Sequence, residues 1–198
     1  MDKYRFIGPV YNDLCHMYAG KAISDCRISM LNELGPEKHI LFAGVGHGDD
    51  AIYAAKTGAR VTVVELSHTM MQAFKRNCER AKVNERITMV ESDFFKFDSK
   101  AGQFDVVVAN FFLNIFDLEN MKKALSHLVA QGKPGAQIII GDFILPSKKG
   151  VVSRFFISTY WYLANILFYV LAKNPIHPVY DYPKYMSELG LHVKNIKY

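Results

Sequence analysis

Three glycines at alternate positions, Gly44, Gly46 and Gly48, and a carboxylate seventeen residues further on, Glu65, are the residues of this chain best spaced for chemistry. The glycines follow an apolar run, Ile40-Leu41-Phe42, and precede a helix-compatible stretch from Asp49 to Lys56. Glu65 closes a second apolar run, Val61 to Val64. Strand, glycine turn, helix, strand, acid is the plan of a nucleotide-binding βαβ unit. Without a Cβ, glycine takes positive φ and lets backbone approach a ligand closely. A strand-end acid accepts hydrogen bonds from both hydroxyls of a ribose. A dinucleotide fingerprint, G-x-G-x-x-G, needs glycine at position 49, where the chain has Asp49, a carboxylate that repels a pyrophosphate. The spacing G-x-G-x-G suits instead a nucleoside ligand with no phosphate and a cationic centre. The plainer alternative is a turn that only packs a helix on a strand.

Alternating strand and helix signals position these residues. Strands are expected at His39–Ala43, Arg60–Glu65, Ile87–Glu91, Phe104–Ala109, Gln137–Gly141 and Leu191 to about Lys197. Phe104–Ala109 is an unbroken apolar run, typical of a parallel strand buried on both faces. Helices are expected at Asp25–Leu34, ended by Gly35-Pro36; at about Asp49–Thr57, with Gly58 after its end; and at about His68–Ala81, capped by Ser67. Others are expected at about Leu118–Ala130, before the turn Gly132-Lys133-Pro134-Gly135, and near Pro183–Leu189. The fold class is therefore α/β, a single doubly wound, mostly parallel sheet. Ligands in such sheets lie beyond the carboxyl ends of the strands. The glycine turn, Glu65, Asp93 and Asn110 all fall on that rim.

The 198 residues are enough for one domain with a sizeable core. Half are apolar and 22% charged, an ordinary globular balance. The net charge of +5 is scattered, with no basic run that suggests nucleic acid. Cys15, Cys26 and Cys78 lack C-x-x-C spacing, which points to a reducing compartment and away from a structural zinc site. No metal site is expected. The N-terminus has no apolar core or small-residue cleavage site of a signal peptide. The expected location is cytoplasmic, with membrane association at the inner face left open. That opening comes from Phe155–Ala172, 18 residues without a charge, at the lower limit for a membrane span. Its polar and aromatic content favours a buried or cleft-lining helix, or interfacial membrane contact through 148–173. Lys148, Lys149, Arg154 and Lys173 flank it.

On these residues the chain resembles the class I S-adenosylmethionine-dependent methyltransferases, whose Rossmann-like fold matches the sheet just described. The resemblance rests on AGVGHG at 43–48, VVELS, ESDFF, ANFFLNIF and KPGAQIIIGDF, and is strongest over residues 36–145. FIGPVYND and the ending YPKYMSELGLHVKNIKY are similar to the quinone-methyltransferase-like branch. It implies one domain over 1–198: a helical lead-in and lid at 1–35, a cofactor core at 36–145, and an acceptor-side helix, loop and last strand at 146–198. It implies S-adenosyl-L-methionine as cofactor and S-adenosyl-L-homocysteine as product. Backbone at Gly44, Val45, Gly46 and Gly48 then packs on the methionine part, and Glu65 holds the ribose with Leu66 beside the adenine. Asp93 accepts from the adenine amino group and Phe94 packs on its ring. Asn110 lies near the sulfonium, and Tyr11 and Tyr18 belong to the lid. Asp93 also reads as a helix cap and Asn110 as a turn residue. Two departures stand out. The family's acid two residues before the first glycine is Phe42 here, and the usual seventh strand is missing.

Methyl transfer from a sulfonium is an in-line displacement, so catalysis is mainly positioning with water excluded. A base is needed only if the nucleophile must lose a proton. Asp142, His47, His177, Tyr180 and Asp181 are the candidates, and Asp142 at the end of strand five faces the cleft in this topology. The aromatic-rich segment 146–182 suits an apolar, quinone-like or lipid-like small acceptor, or else packs a helix or a homodimer. The alternatives to a methyltransferase are an adenosylmethionine-binding protein that does not methylate and a nicotinamide-dependent oxidoreductase.

Overall fold

The computed structural model describes residues 21–99, 102–143 and 151–197. Tyr11 and Tyr18, the proposed lid residues, lie outside them, as do Lys148 and Lys149. Five strands form one parallel sheet: β1 (His39–Ala43), β2 (Arg60–Glu65), β3 (Ile87–Glu91), β4 (Phe104–Asn110) and β5 (Gly132–Gly141). Their order is β3-β2-β1-β4-β5. The order reverses beside β1, so the switch point lies at the carboxyl ends of β1 and β4, where this fold class binds ligands.

Residue alternation along the strands builds two cores. Ile40 and Phe42 of β1, Val61 and Val63 of β2, and Val106 and Val108 of β4 face one layer. There they meet α2 (Asp49–Lys56) and α3 (His68–Ala81) through Ile52, Met71 and Phe74. Leu41, Ala43, Val64, Val107 and Ala109 face the other layer. There they meet α4 (Leu118–Gln131) through Met121, Leu125 and Leu128. Burial on both faces is why these strands read as unbroken apolar runs.

Local chemistry sets the ends of the helices. Ser67 accepts from Met70 N and starts α3, and Lys82 ends it in the left-handed region at φ 56°. Asp117 accepts from Asn120 N and starts α4. Gly58, at φ +101°, follows α2 as its left-handed stop.

Three expectations are corrected. The first helix among the described residues, α1, covers Lys21–Ser29 rather than Asp25–Leu34, and a 3-10 turn, Leu31–Glu33, follows. The Ser29 hydroxyl bonds back to Cys26 O at 2.9 Å where the helix stops. The turn at 132–135 belongs to β5, which follows α4 directly. Leu191–Lys197 forms no strand, although its apolar residues nearly alternate. It pairs with no sheet edge, and Lys197 is instead tied to Ser29 O at 2.8 Å and to Glu33. After β5 come α5 (Val151–Ala172) and the short α6 (Tyr182–Glu188). No helix among the described residues is long and apolar enough to cross a membrane.

Candidate functional site

The three motif glycines all have positive φ: Gly44 at 65°, Gly46 at 53° and Gly48 at 77°. Gly44 N donates to Val64 O at 2.9 Å, which holds the start of the turn against β2. Gly48 N donates to Val45 O at 2.9 Å, and Gly48 O accepts from Ile52 N to open α2. A Cβ on Gly48 would lie 2.1 Å from the Phe74 ring, and one on Gly44 would lie 2.7 Å from Phe112. Glycine is therefore required twice over, by backbone conformation and by space. His47 sits within this turn, half-buried, and its carbonyl accepts from Asn77 Nδ2 at 3.1 Å.

Glu65 is the clamp of the site. Its Oε2 accepts from Val45 N at 3.0 Å and its Oε1 from Ser67 N at 2.8 Å. Burial pushes its carboxyl up, while the backbone N–H groups of Ser67, Val45, Gly46 and Leu66 pull it down. The two oxygens together offer about four acceptor positions, and Val45 N and Ser67 N make the two best-formed hydrogen bonds to them. Leu66 stands beside it, two-thirds exposed. At the end of β3, Asp93 caps a 3-10 turn, Phe94–Lys96, by accepting from Phe95 N at 3.0 Å. Phe94 points into the core, edge-on to Phe112 and His127. The exposed ring at this rim is Phe95.

The switch point is polar and buried. Asn110 Nδ2 donates to Asp50 Oδ2 at 2.8 Å and to Arg27 O at 3.2 Å. Asn110 Oδ1 is buried without a hydrogen-bond partner. It lies so close to Gly141 that a Cβ there would come within 2.4 Å. Asp50 is 5% exposed, and burial raises its carboxyl although Arg27 opposes the shift. Asp50 and Arg27 thus reach a site that Asn110 marked in the sequence. Nothing in the spacing announced the contact from α1.

A second cluster adjoins the end of β5. Asp142 Oδ1 accepts from Asn114 Nδ2 at 2.9 Å and from Phe143 N at 2.8 Å; Oδ2 accepts from Tyr182 OH at 2.6 Å. Burial pushes this carboxyl up to about 6. His177 is buried, with Nε2 2.6 Å from Asn114 O and Nδ1 2.8 Å from Pro178 O. Tyr180 stacks on the His177 ring at 4.6 Å and donates to Phe116 O at 3.0 Å. Asp142, His177 and Tyr180 therefore share one neighbourhood, through Asn114 and Tyr182, which sequence reasoning missed. Both His177 nitrogens and the Tyr180 hydroxyl are engaged with backbone, so they bind the 174–181 loop down. His47 and Asp181 stand apart from that network; Asp181 caps α6.

The residues fit an adenosyl ligand. The glycine turn offers close backbone, Glu65 offers a half-buried carboxylate, and Asn110 offers an orphaned carbonyl oxygen at the switch point. Among the described residues no group of three or more His, Cys, Asp and Glu side chains could hold a metal.

Comparison with known proteins agrees with this geometry. Residues 40–135 match the family model for a methyltransferase domain. A ubiquinone/menaquinone biosynthesis C-methyltransferase of Rhizobium johnstonii is 27% identical over 68% of this chain and 53% of its own length. A ribosomal protein L11 methyltransferase of Burkholderia thailandensis is 32% identical over 60% of this chain and 36% of its own. The chain thus spans about a third to a half of the length of these relatives. A solved methyltransferase structure from Methanococcus maripaludis, described as S-adenosyl-L-methionine-dependent, shares the fold at TM-score 0.64. It is 17% identical, over 96% of this chain and 84% of that one.

Proposed function

We propose that this chain, whose residues 40–135 belong to the methyltransferase-domain family, transfers the methyl group of S-adenosylmethionine to a small apolar acceptor. The observation that carries the reading is the half-buried Glu65 carboxylate, fixed by Val45 N and Ser67 N at the mouth of a positive-φ glycine turn. Glu65 binds the ribose diol with its remaining acceptor capacity. Asp93 holds the adenine amino group, with the exposed Leu66 and Phe95 on the apolar side; Phe94, buried in the core, backs this rim from within. Asn110 Oδ1 accepts from the cationic end of the ligand, and Asp50, held behind it by the Asn110 amide, is the carboxyl nearest to the role that Phe42 leaves open. When bound, the cofactor supplies an electrophilic methyl group on a sulfonium. The chain's residues then have to align the acceptor and exclude water.

The acceptor lies toward Phe111, Phe143 and Trp161, whose rings form a continuous series: Phe111 to Phe143 at 5.4 Å and Phe143 to Trp161 at 4.9 Å. An aromatic wall of this kind selects quinone-like or lipid-like molecules, and a relative named for quinone biosynthesis is compatible with it. Asp142 is the candidate base, because a carboxyl raised to about 6 takes up a proton more readily than an ordinary one. His177 and Tyr180 hold the segment that carries Tyr182.

Phe42 motivates a second reading. It is 1% exposed in the core and presents no acid to a ligand's amino group. On that basis the chain binds S-adenosylmethionine without transferring its methyl group. Calorimetric titration with S-adenosylmethionine, S-adenosylhomocysteine and NADH tests the cofactor class. Micromolar binding of the first two and none of the third is the expected result. Silence with both adenosyl compounds removes both readings. Radiolabelled methyl transfer to quinone precursors then separates them.

A further inference from the structure

We infer that helix α5 docks this chain on the surface of an anionic phospholipid bilayer. The inference is independent of whether the cofactor site transfers a methyl group.

Among the described side chains of helix α5, those that meet the body of the protein lie on one side. Trp161 and Asn165, one turn apart, are the buried residues among its described side chains and mark a stripe there. Trp161 Nε1 donates to His177 O at 2.9 Å, and Asn165 Nδ2 donates to Trp161 O at 3.0 Å. At 3.6 residues per turn, the exposed side chains opposite that stripe span roughly 200° of the helix circumference. Phe155, Phe156, Leu163, Ile166, Leu167 and Val170 stand there, with Leu163 61% and Phe155 67% exposed. Exposed apolar patches of more than a few hundred Å² mark interaction sites rather than ordinary surface.

Two observations choose the occupant. The first is polarity within the arc. Thr159, in its middle, donates its hydroxyl to Phe155 O at 3.0 Å, so its one polar group is satisfied inside the helix. The half-exposed Tyr162 and Tyr169 carry hydroxyls suited to a headgroup layer. The second is charge. From Phe143 to Tyr180 there is no Asp or Glu, while Lys148, Lys149, Arg154 and Lys173 lie before, within and after the helix. Lys173, directly after α5, is exposed, with its Nζ 5.4 Å from the centre of the Tyr169 ring.

A second copy fits poorly. Parallel pairing of two α5 helices through this arc brings Lys173 toward the Lys173 of the second copy. A helix partner also covers a seam, not an arc this wide. An acyl and headgroup layer covers the whole arc and neutralises the cations. The length of α5, 22 residues or about 33 Å, then lies in the plane of the membrane.

Co-sedimentation with vesicles tests this. The chain should pellet with phosphatidylcholine vesicles containing 30% phosphatidylglycerol at least tenfold more strongly than with phosphatidylcholine alone, and weaken from 0.1 to 0.5 M NaCl. Lys173→Glu should cost about fivefold or more, since each basic residue near such a surface contributes about that factor. The double variant Leu163→Glu, Ile166→Glu should abolish pelleting while keeping the wild-type melting curve, because both positions are exposed. Wild-type binding by the double variant, or failure of the parent to pellet, overturns the inference. So does a sedimentation-velocity dimer that the double variant dissolves in a chain that binds no vesicles.

Discussion

At the scale of single residues, the site is a set of buried and half-buried carboxylates, Asp50, Glu65 and Asp142, each accepting from a backbone N–H group. Loss of the Glu65 carboxylate frees the Val45 and Ser67 N–H donors and, on the proposed assignment, removes the ribose partner. Glu65→Ala should therefore weaken S-adenosylmethionine binding by roughly 1–3 kcal/mol, measured by calorimetry on the folded variant. Unchanged affinity would end the ribose assignment. Asp142 carries a pH signature. Its carboxyl rises from 3.8 to about 6 on folding, so between those values the folded chain holds a proton that the unfolded chain has released. This contribution is fully present below pH ~4 and is lost as pH rises through about 6, by roughly 3 kcal/mol. Asp142→Asn, compared with the parent by urea unfolding from pH 4 to 7, should flatten that decline. An unaltered slope would assign it to Asp50 and Glu65, which burial also raises. The place of Glu65 at the end of β2 was legible in the sequence, because an acid that closes an apolar run ends a buried strand. The hydrogen bond from Asn110 to Asp50 was not, because it joins residues from β4 and α2 that only the folded sheet brings together.

At the scale of elements, turn chemistry left the clearest traces. β1, β2, β3 and α3 lie where apolar runs, Gly58 and Ser67 placed them. Gly48 shows why such traces are reliable: positive φ and the Phe74 ring both demand it. Gly48→Ala should destabilise the fold by roughly 2–4 kcal/mol, from left-handed strain plus overpacking. Denaturant unfolding measures this, and a loss below 1 kcal/mol would mean that Phe74 simply moves aside. The ends of the chain were less legible. Leu191–Lys197 has nearly the alternation of a strand, but alternation specifies a face and not a partner, and no sheet edge receives it. Helix α5 was legible as apolar, yet its period did not tell which side the protein covers. Trp161 and Asn165 settle that through contacts with the 174–181 loop.

At the scale of the whole molecule, the rim of one sheet gathers groups from β1, β2, β3, β4, α1 and α2. A ligand that bridges them stabilises all of them together. S-adenosylhomocysteine at a hundred times its dissociation constant should add about 2.7 kcal/mol and raise the melting temperature by roughly 5–11 °C for a domain of this size. NADH at the same concentration should leave the melting temperature unchanged. A shift with NADH alone would move the chain to the oxidoreductase class.

The strand order has a consequence in time as well as in space. β1 is central, and its two neighbours arrive at different moments. β2 follows it closely, whereas Ile40 pairs with Val106, and that stretch must be synthesised before the second side of β1 can be covered. A chain emerging from the ribosome therefore holds β1, β2 and β3 with one long apolar edge open until β4 arrives. Parallel pairing across such separations is slow and leaves a hydrophobic template exposed to neighbouring chains. Yield on expression is thus set by how fast the Phe104–Asn110 strand reaches that edge. Slower synthesis before it, or substitutions that weaken β4, should send the product to inclusion bodies before they measurably lower the stability of the finished fold.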